Sequence, residues 1–325
     1  MIENGILNIN KPQGMTSHDV VYRVRRALGI KRVGHTGTLD PMCTGVLPIC
    51  IGTATRVTEY LDLDFKTYRC TLLLGKVTDT QDIWGEVLEE KSTEGITEAQ
   101  VRDAFSQFNG IIDQKPPMYS AVRVNGRRLY EYARAGEEVK VKTRKIYINS
   151  LNIDKIDLAE KTVIFTVECS KGTYIRTICQ DVGIALGCGA TMTSLERLAS
   201  GEFGIEDAID LDELQEMSVE EIERLVLPAD FPLTHFGQVV VDAPTAKKFV
   251  DGHHLPLSQC DMLREPEFRY KDFVLEMREE YKGAYNVYKA TSSGKHFLGV
   301  AFYNKMYKKL VADKVLSRGE ELENI

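Results

Sequence analysis

Apolar and polar positions along the chain alternate in short runs of both periods, with no regular strand–helix–strand repeat. Residues 5–10 (Gly-Ile-Leu-Asn-Ile-Asn) read as a strand, and Lys11-Pro12-Gln13-Gly14 as the turn after it. Ser17 reads as the N-cap of a helix whose stripe is Val20, Val21, Val24 and Leu28 and which stops at Gly29. Residues 30–48, rich in Gly, Thr and Pro, read as a structured loop. Strands are predicted near 46–51, 66–74, 145–152 and 161–169, the second alternating and carrying Tyr68. Helices are predicted over 97–109 with Thr97 as cap, over 127–136 ending at Gly136, and over 173–186 after the Lys171-Gly172 turn. Two acidic helical pieces follow near 211–227. Beyond Pro228 and Pro232, strand patterns return at 238–241, 273–277, 284–290 and 297–302. The reading is α+β, with residues 1–230 as one domain and 231–325 as a small β-rich second one.

Composition narrows the classes. The 325 residues have an ordinary soluble balance, 43% hydrophobic and 27% charged. No apolar run approaches a membrane span, and the first ten residues lack the basic and hydrophobic regions of a signal peptide, so the expectation is cytoplasmic. Seven scattered cysteines without a Cys-x-x-Cys pair predict neither a disulfide framework nor a zinc site. The histidines offer no ligand spacing either, since adjacent His253 and His254 on a strand point to opposite faces. The net charge of −7 counts against a nucleic-acid partner, but it is unevenly spread. Residues 201–230 hold eleven acids and one base, whereas 115–145 hold nine bases. An acidic chain with that division can still present a basic face.

The loop at 34–45 is the most unusual segment. Gly34, Gly37 and Gly45 permit special backbone geometry, Thr36, Thr38 and Thr44 supply hydroxyls, and Asp40 precedes Pro41. Taken alone, this is most simply a turn in which Asp40 caps nearby amides. A phosphate cradle lacks its Gly-Lys-Ser/Thr ending.

Taken whole, Arg32-x-Gly34-His35-Thr36-Gly37-Thr38-Leu39-Asp40-Pro41-x-x-Thr44-Gly45-Val46-Leu47-Pro48 strongly resembles the catalytic loop of the TruB family, the bacterial tRNA pseudouridine-55 synthases. Lys11-Pro12-x-Gly14-x-Thr16-Ser17 resembles the family's N-terminal motif, and Lys66-x-Tyr68 through Leu74-Gly75-x-x-Thr78-Asp79-Thr80-x-Asp82 its tyrosine motif. Pro116-Pro117-Met118-Tyr119-Ser120-Ala121, Asn125-Gly126 and Leu129-Tyr130-Glu131-Tyr132-Ala133-Arg134-x-Gly136 are similar to its RNA-gripping insertion, about 115–145. Cys169-Ser170-Lys171-Gly172-Thr173-Tyr174-Ile175-Arg176-Thr177 resembles its arginine motif. The motifs run in order over about residues 5–205.

The resemblance implies a pseudouridine-synthase domain with a mixed, mostly antiparallel sheet flanked by helices and loops. It implies that Asp40 attacks the target nucleotide, at the ring or at the sugar, and that Arg176 orients it through a charge-assisted pair. It implies that Tyr68 stacks on the base, that Tyr174 and Leu195 line the uridine pocket, and that His35 fills the space beside flipped nucleotides. Lys11 and the basic insertion would hold phosphates of the tRNA TΨC stem-loop. No metal or cofactor is implied, and the family suggests a monomer. Read without the family, each of these side chains has a plainer role: an ion pair for Arg176, core packing for Tyr68, Tyr174 and Leu195, polar surface for His35.

The chain departs from the pattern in places. Cys43 stands where the family usually has Ala, and Leu195-Glu196-Arg197 where it often shows Leu-Arg-Arg, so Arg197 is not counted as an RNA contact. Asp251-Gly252 and Gly294-Lys295-His296-Phe297-Leu298-Gly299 resemble pieces of a PUA-type RNA-binding domain, while 260–283 match nothing. The alternative of another class is a non-catalytic tRNA-binding or tRNA-folding protein on the same fold. The presence together of Asp40, Tyr68 and Arg176 favours an enzyme. A guide-RNA-dependent subunit is disfavoured by the insertion.

Overall fold

The computed structural model describes residues 4–63, 65–267, 279–292 and 294–317. The strand pattern at 273–277 lies outside them. Two large sheets carry most of the described chain, beside two two-stranded ones. The larger runs, edge to edge, through Ile209–Asp210, Asn4–Lys11, Thr44–Gly52, Ala190–Ser200, Lys66–Leu74, Thr162–Cys169, Arg144–Asp157 and Gly110–Gln114. Its pairings are antiparallel except for Asn4–Lys11 with Ile209–Asp210 and Thr44–Gly52 with Ala190–Ser200. The mixed, mostly antiparallel sheet expected of the family is therefore present.

Sequence pattern explains which strands sit in the middle. Lys66–Leu74 alternates, and buries Tyr68, Cys70, Leu72 and Leu74 on one face against the Ile175–Ala185 helix side of the core. Thr44–Gly52 is instead buried almost throughout. Its Leu47, Ile49 and Ile51 join the main core, while Val46 and Cys50 on the other face join a second cluster with Ile6, Tyr60, Phe236, Tyr281 and Val300. A strand covered on both faces needs an unbroken apolar run. That second cluster is where the smaller sheet packs on the larger.

The smaller sheet runs Leu255–Pro256, Lys309–Val315, Gly294–Asn304, Ala284–Thr291, Gly237–Val241 and Asp261–Arg264. Arg56 Nη1 donates to the Val315 carbonyl at 2.6 Å, and the Tyr60 hydroxyl donates to Asp313, tying the two sheets together.

Several local expectations shift. The cap of the first helix, Ser17–Leu28, is Thr16 and not Ser17: Thr16 Oγ1 accepts from Asp19 N–H at 3.1 Å, and the Asp19 carboxylate accepts from Thr16 N–H at 2.8 Å. Residues 30–48 are less irregular than expected, since Val33–His35 and Thr44–Gly52 pair across them. The helix Ala243–Val250 and the central strand Ala190–Ser200 have no counterpart among the elements the sequence predicts. The strand was hidden by Glu196 and Arg197, charged residues in what proves to be the middle of a sheet.

Charge is segregated by this topology. The acidic 201–230 segment contributes Ile209–Asp210 to one edge of the sheet, where Asp212 also pairs with Arg23 at 3.1 Å. Gly110–Gln114, which leads into the basic insertion, forms the opposite edge. Seven strand spacings separate them, on the order of 30 Å.

Candidate active site

Residues 36–43 bridge the Val33–His35 and Thr44–Gly52 strands, and almost every polar group at hand serves to fix them. Cys43 N–H closes a turn onto the Asp40 carbonyl at 3.0 Å, with Pro41 at the second turn position, where its fixed φ fits. Gly14 N–H donates to Pro41 O at 2.8 Å. Ser17 Oγ accepts from Leu39 N–H at 2.9 Å and donates to Leu39 O at 3.2 Å, so the residue expected to cap the helix instead clasps the loop.

Two buried cations complete the brace. Lys11 Nζ donates to the carbonyls of Pro12, Pro41 and Cys43 at 2.9, 3.0 and 2.6 Å. Lys11 is fully buried (0% exposed), and its three donors are taken, so it has no face for a phosphate. The phosphate-binding role expected of Lys11 is corrected accordingly. Burial holds its pKa below the ordinary lysine value. Arg197, also fully buried, donates from Nε to Val46 O at 2.6 Å and from Nη2 to Gly37 O at 3.3 Å. Gly45 passes so close to that strand that a Cβ there would lie 2.2 Å from the Arg197 carbonyl, and its φ of 101° independently requires glycine.

The braced loop presents Asp40. Its side chain is 48% exposed, with Oδ2 lying 3.0 Å from Nη2 of Arg176, whose own side chain is only 7% exposed. Arg176 sits in the first turn of the Ile175–Ala185 helix and gathers four segments. Nη1 donates to Thr80 O at 3.0 Å and faces Asp82 Oδ2 at 3.4 Å, while Nη2 donates to Tyr119 O at 3.0 Å beside Asp40. Asp82 is held in turn, its Oδ1 accepting from Thr80 Oγ1 at 2.7 Å and Trp84 N–H at 3.2 Å. A guanidinium with both terminal nitrogens engaged is held in place, and it points the Asp40 carboxylate in one direction.

Tyr68 lies across the strand pair from Arg197 and packs in the core with Leu39, Cys43 and Leu195. Burial pushes its phenol up to about 12, so it is neutral at physiological pH. Tyr174 precedes the helix bearing Arg176 and is clamped by Gln114, whose amide donates to Tyr174 O at 3.0 Å and accepts from Tyr174 N–H at 2.8 Å. His35 is half-buried, edge-on to His18 at 5.3 Å; burial lowers its pKa, and Nδ1 meets no partner among the described residues. The structure thus brings Asp40 and Arg176 into contact and puts Tyr68 and Leu195 in the core that also holds the loop's Leu39 and Cys43. Asp82 and Arg197 are site residues that sequence reasoning passed over. Asp82 closes the tyrosine motif with no role implied for it, and nothing in a linear pattern announces that a charged strand residue such as Arg197 points inward.

In the basic insertion, Arg127 stacks on Tyr132 at 4.3 Å and Arg134 on Tyr130 at 5.3 Å, and the Tyr132 hydroxyl donates to Val124 O at 3.1 Å. Among the described residues, no group of three or more His, Cys, Asp or Glu is arranged to hold a metal ion. None of their helices is long and apolar enough to cross a membrane.

Residues 25–175 match the family described as TruB family pseudouridylate synthase (N terminal domain), and residues 176–234 the tRNA pseudouridylate synthase B C-terminal domain. The chain is 46% identical over 264 residues to tRNA pseudouridine synthase B of Alkaliphilus oremlandii, covering 81% of this chain and 87% of that protein. It is 44% identical over 259 residues to the protein of the same name from Bacillus pumilus, covering 78% and 84%. Among solved structures, Cbf5 chains of an archaeal box H/ACA sRNP Nop10–Cbf5 complex and of a Cbf5–Nop10–Gar1 complex share the fold, each with a TM-score of 0.71, at 22% and 23% identity, covering 99% and 98% of this chain and 88% and 87% of theirs. On the strength of the matched family models and of relatives this similar over most of their length, the chain belongs to the TruB family of pseudouridylate synthases.

Proposed function

We propose that the chain is a tRNA pseudouridine synthase that isomerises the uridine at position 55 of the TΨC loop, with Asp40 as its catalytic nucleophile. The observation that carries the proposal is the Asp40–Arg176 pair, a partly exposed carboxylate held at 3.0 Å by a buried guanidinium engaged at both terminal nitrogens. A carboxylate acts on carbon only when it is oriented and partly stripped of water. The relatives named tRNA pseudouridine synthase B supply the substrate class.

The reaction balances without an added reagent. The bond from N1 to C1′ breaks, the uracil turns, C5 bonds to C1′, the C5 proton leaves and N1 takes one up. Such an enzyme works with neither metal nor cofactor. Tyr68, neutral at physiological pH, supports the base, with Tyr174 and Leu195 walling the pocket. His35 fills the gap left by the extruded nucleotide, and the basic insertion grips the RNA. Residues 1–230 form the catalytic domain of a cytoplasmic monomer, and 231–325 a small PUA-like domain.

The test is incubation with an unmodified tRNA transcript tritiated at uridine C5, with no metal or cofactor supplied. Tritium release mapped to the TΨC-loop uridine is the expected result. Tight binding without release would move the protein to the non-catalytic, tRNA-folding alternative.

A further inference from the structure

Arg144, the first residue of the Arg144–Asp157 strand, is a cation beside the site with no anionic partner among the described residues. Its guanidinium carbon lies 4.9 Å from the centre of the Tyr174 ring and close beside Gly172, where a Cβ would touch it at 3.4 Å. Nε and Nη2, which together form the two-pronged fork that matches an anion, are shut off from solvent and meet no acceptor among the described residues. Gln114, opposite Arg144 in register, has its amide committed to Tyr174. An unsatisfied charged fork is destabilising, and native structures keep few of them unless the group has another use.

The position of this fork suggests that use. Tyr174 stands two residues before Arg176, which holds Asp40. Arg144 is only half-buried, so rotation about its terminal bonds turns the fork outward. Extruding a nucleotide loses its stacking and pairing, and an anchored phosphate offsets part of that loss. We propose that Arg144 is an RNA-binding residue whose fork leaves the Tyr174 ring and clasps a backbone phosphate within one nucleotide of the target uridine, fixing the extruded nucleotide against Tyr174. The inference rests on the tRNA substrate proposed above.

It is tested with tRNAs assembled by ligation, in which each linkage flanking the target uridine is in turn made a neutral methylphosphonate beside a 2′-O-methyl sugar. The 2′-O-methyl tRNA alone is the reference. Single-turnover tritium release is compared for the wild type, Arg144→Gln and Arg144→Lys. A charged hydrogen-bond pair predicts that Arg144→Gln loses roughly ten- to a hundredfold in kcat/KM on unmodified tRNA. The wild type loses a similar factor at one linkage only, and Arg144→Gln loses nothing further there. The salt slope of tRNA binding by Arg144→Gln falls by about one.

If Arg144→Gln and the wild type lose the same factor at every linkage, or if Arg144→Gln is unimpaired on unmodified tRNA, the inference is overturned. Should Arg144→Gln fail to fold, Arg144→Lys, which keeps the charge without the fork, carries the same comparison. Absence of wild-type release from unmodified tRNA would remove the substrate reading and this inference together, whereas release without coupling to Arg144 removes this inference alone.

Discussion

Nη2 of Arg176 lies 3.0 Å from Oδ2 of Asp40, and that one ion pair joins the braced loop to the Ile175–Ala185 helix, the Thr80–Asp82 turn and the start of the basic insertion. Lysine keeps the charge but cannot reach four acceptors from one planar group. Arg176→Lys is expected to lower kcat by about a hundredfold or more, since a shift of about 1 Å in a reacting group has that effect. Single-turnover tritium release measures it, and a loss confined to KM would contradict the positioning role.

Asp82 faces the other terminal nitrogen of the same guanidinium, at 3.4 Å. Asp82→Asn keeps the shape and removes the charge. Weakening one charged hydrogen bond is worth roughly 1.5–3 kcal/mol. The expectation is a tenfold or larger fall in kcat on that scale, with tRNA affinity unchanged in filter binding.

Lys11 separates a brace from a phosphate contact. Lys11→Met leaves three carbonyls of the loop region without their donor, and a destabilisation of about 3 kcal/mol or more is expected in urea unfolding. The salt dependence of tRNA binding should not change. A salt slope smaller by about one in this variant would restore the phosphate-binding role instead.

Tyr68 carries a pH signature. Its folded-state pKa, about 12, stands above the ordinary tyrosine value of 10.0, so the folded state keeps its proton longer than the unfolded chain. The stability it contributes is complete below pH 10 and is lost as pH rises through 12. By pH 11 the wild type should have lost stability, on the order of 1 kcal/mol, that Tyr68→Phe does not lose. Urea titrations of both proteins at pH 9 and pH 11 supply the difference. Equal losses would mean the phenol is not held neutral by burial.

Much of the site was legible because its parts lie in short, dense motifs. The loop around Asp40, the strand bearing Tyr68 and the helix start bearing Arg176 were all identifiable in the chain. The strand periodicity of 66–74 appears intact because only one of its faces is buried. What could not be read was the fate of charge after folding. Lys11 and Arg197 look like surface cations in a sequence and are among the most buried side chains of the fold. Their partners are carbonyls, which have no residue code. The Ala243–Val250 helix was missed despite its Asp242 cap and Pro244, because eight residues scarcely complete two turns of apolar stripe.

The most direct measurement is tritium release by Asp40→Asn, a variant that keeps the size of the side chain and most of its packing while removing the charge. The expected result is no detectable release over hours at enzyme excess, with tRNA affinity within about threefold of wild type, as for a carboxylate that contributes to chemistry and little to binding. Release at a rate within about tenfold of the wild type would contradict it, because no carboxylate would then be needed at the one position that Lys11, Ser17, Arg176 and Arg197 combine to fix.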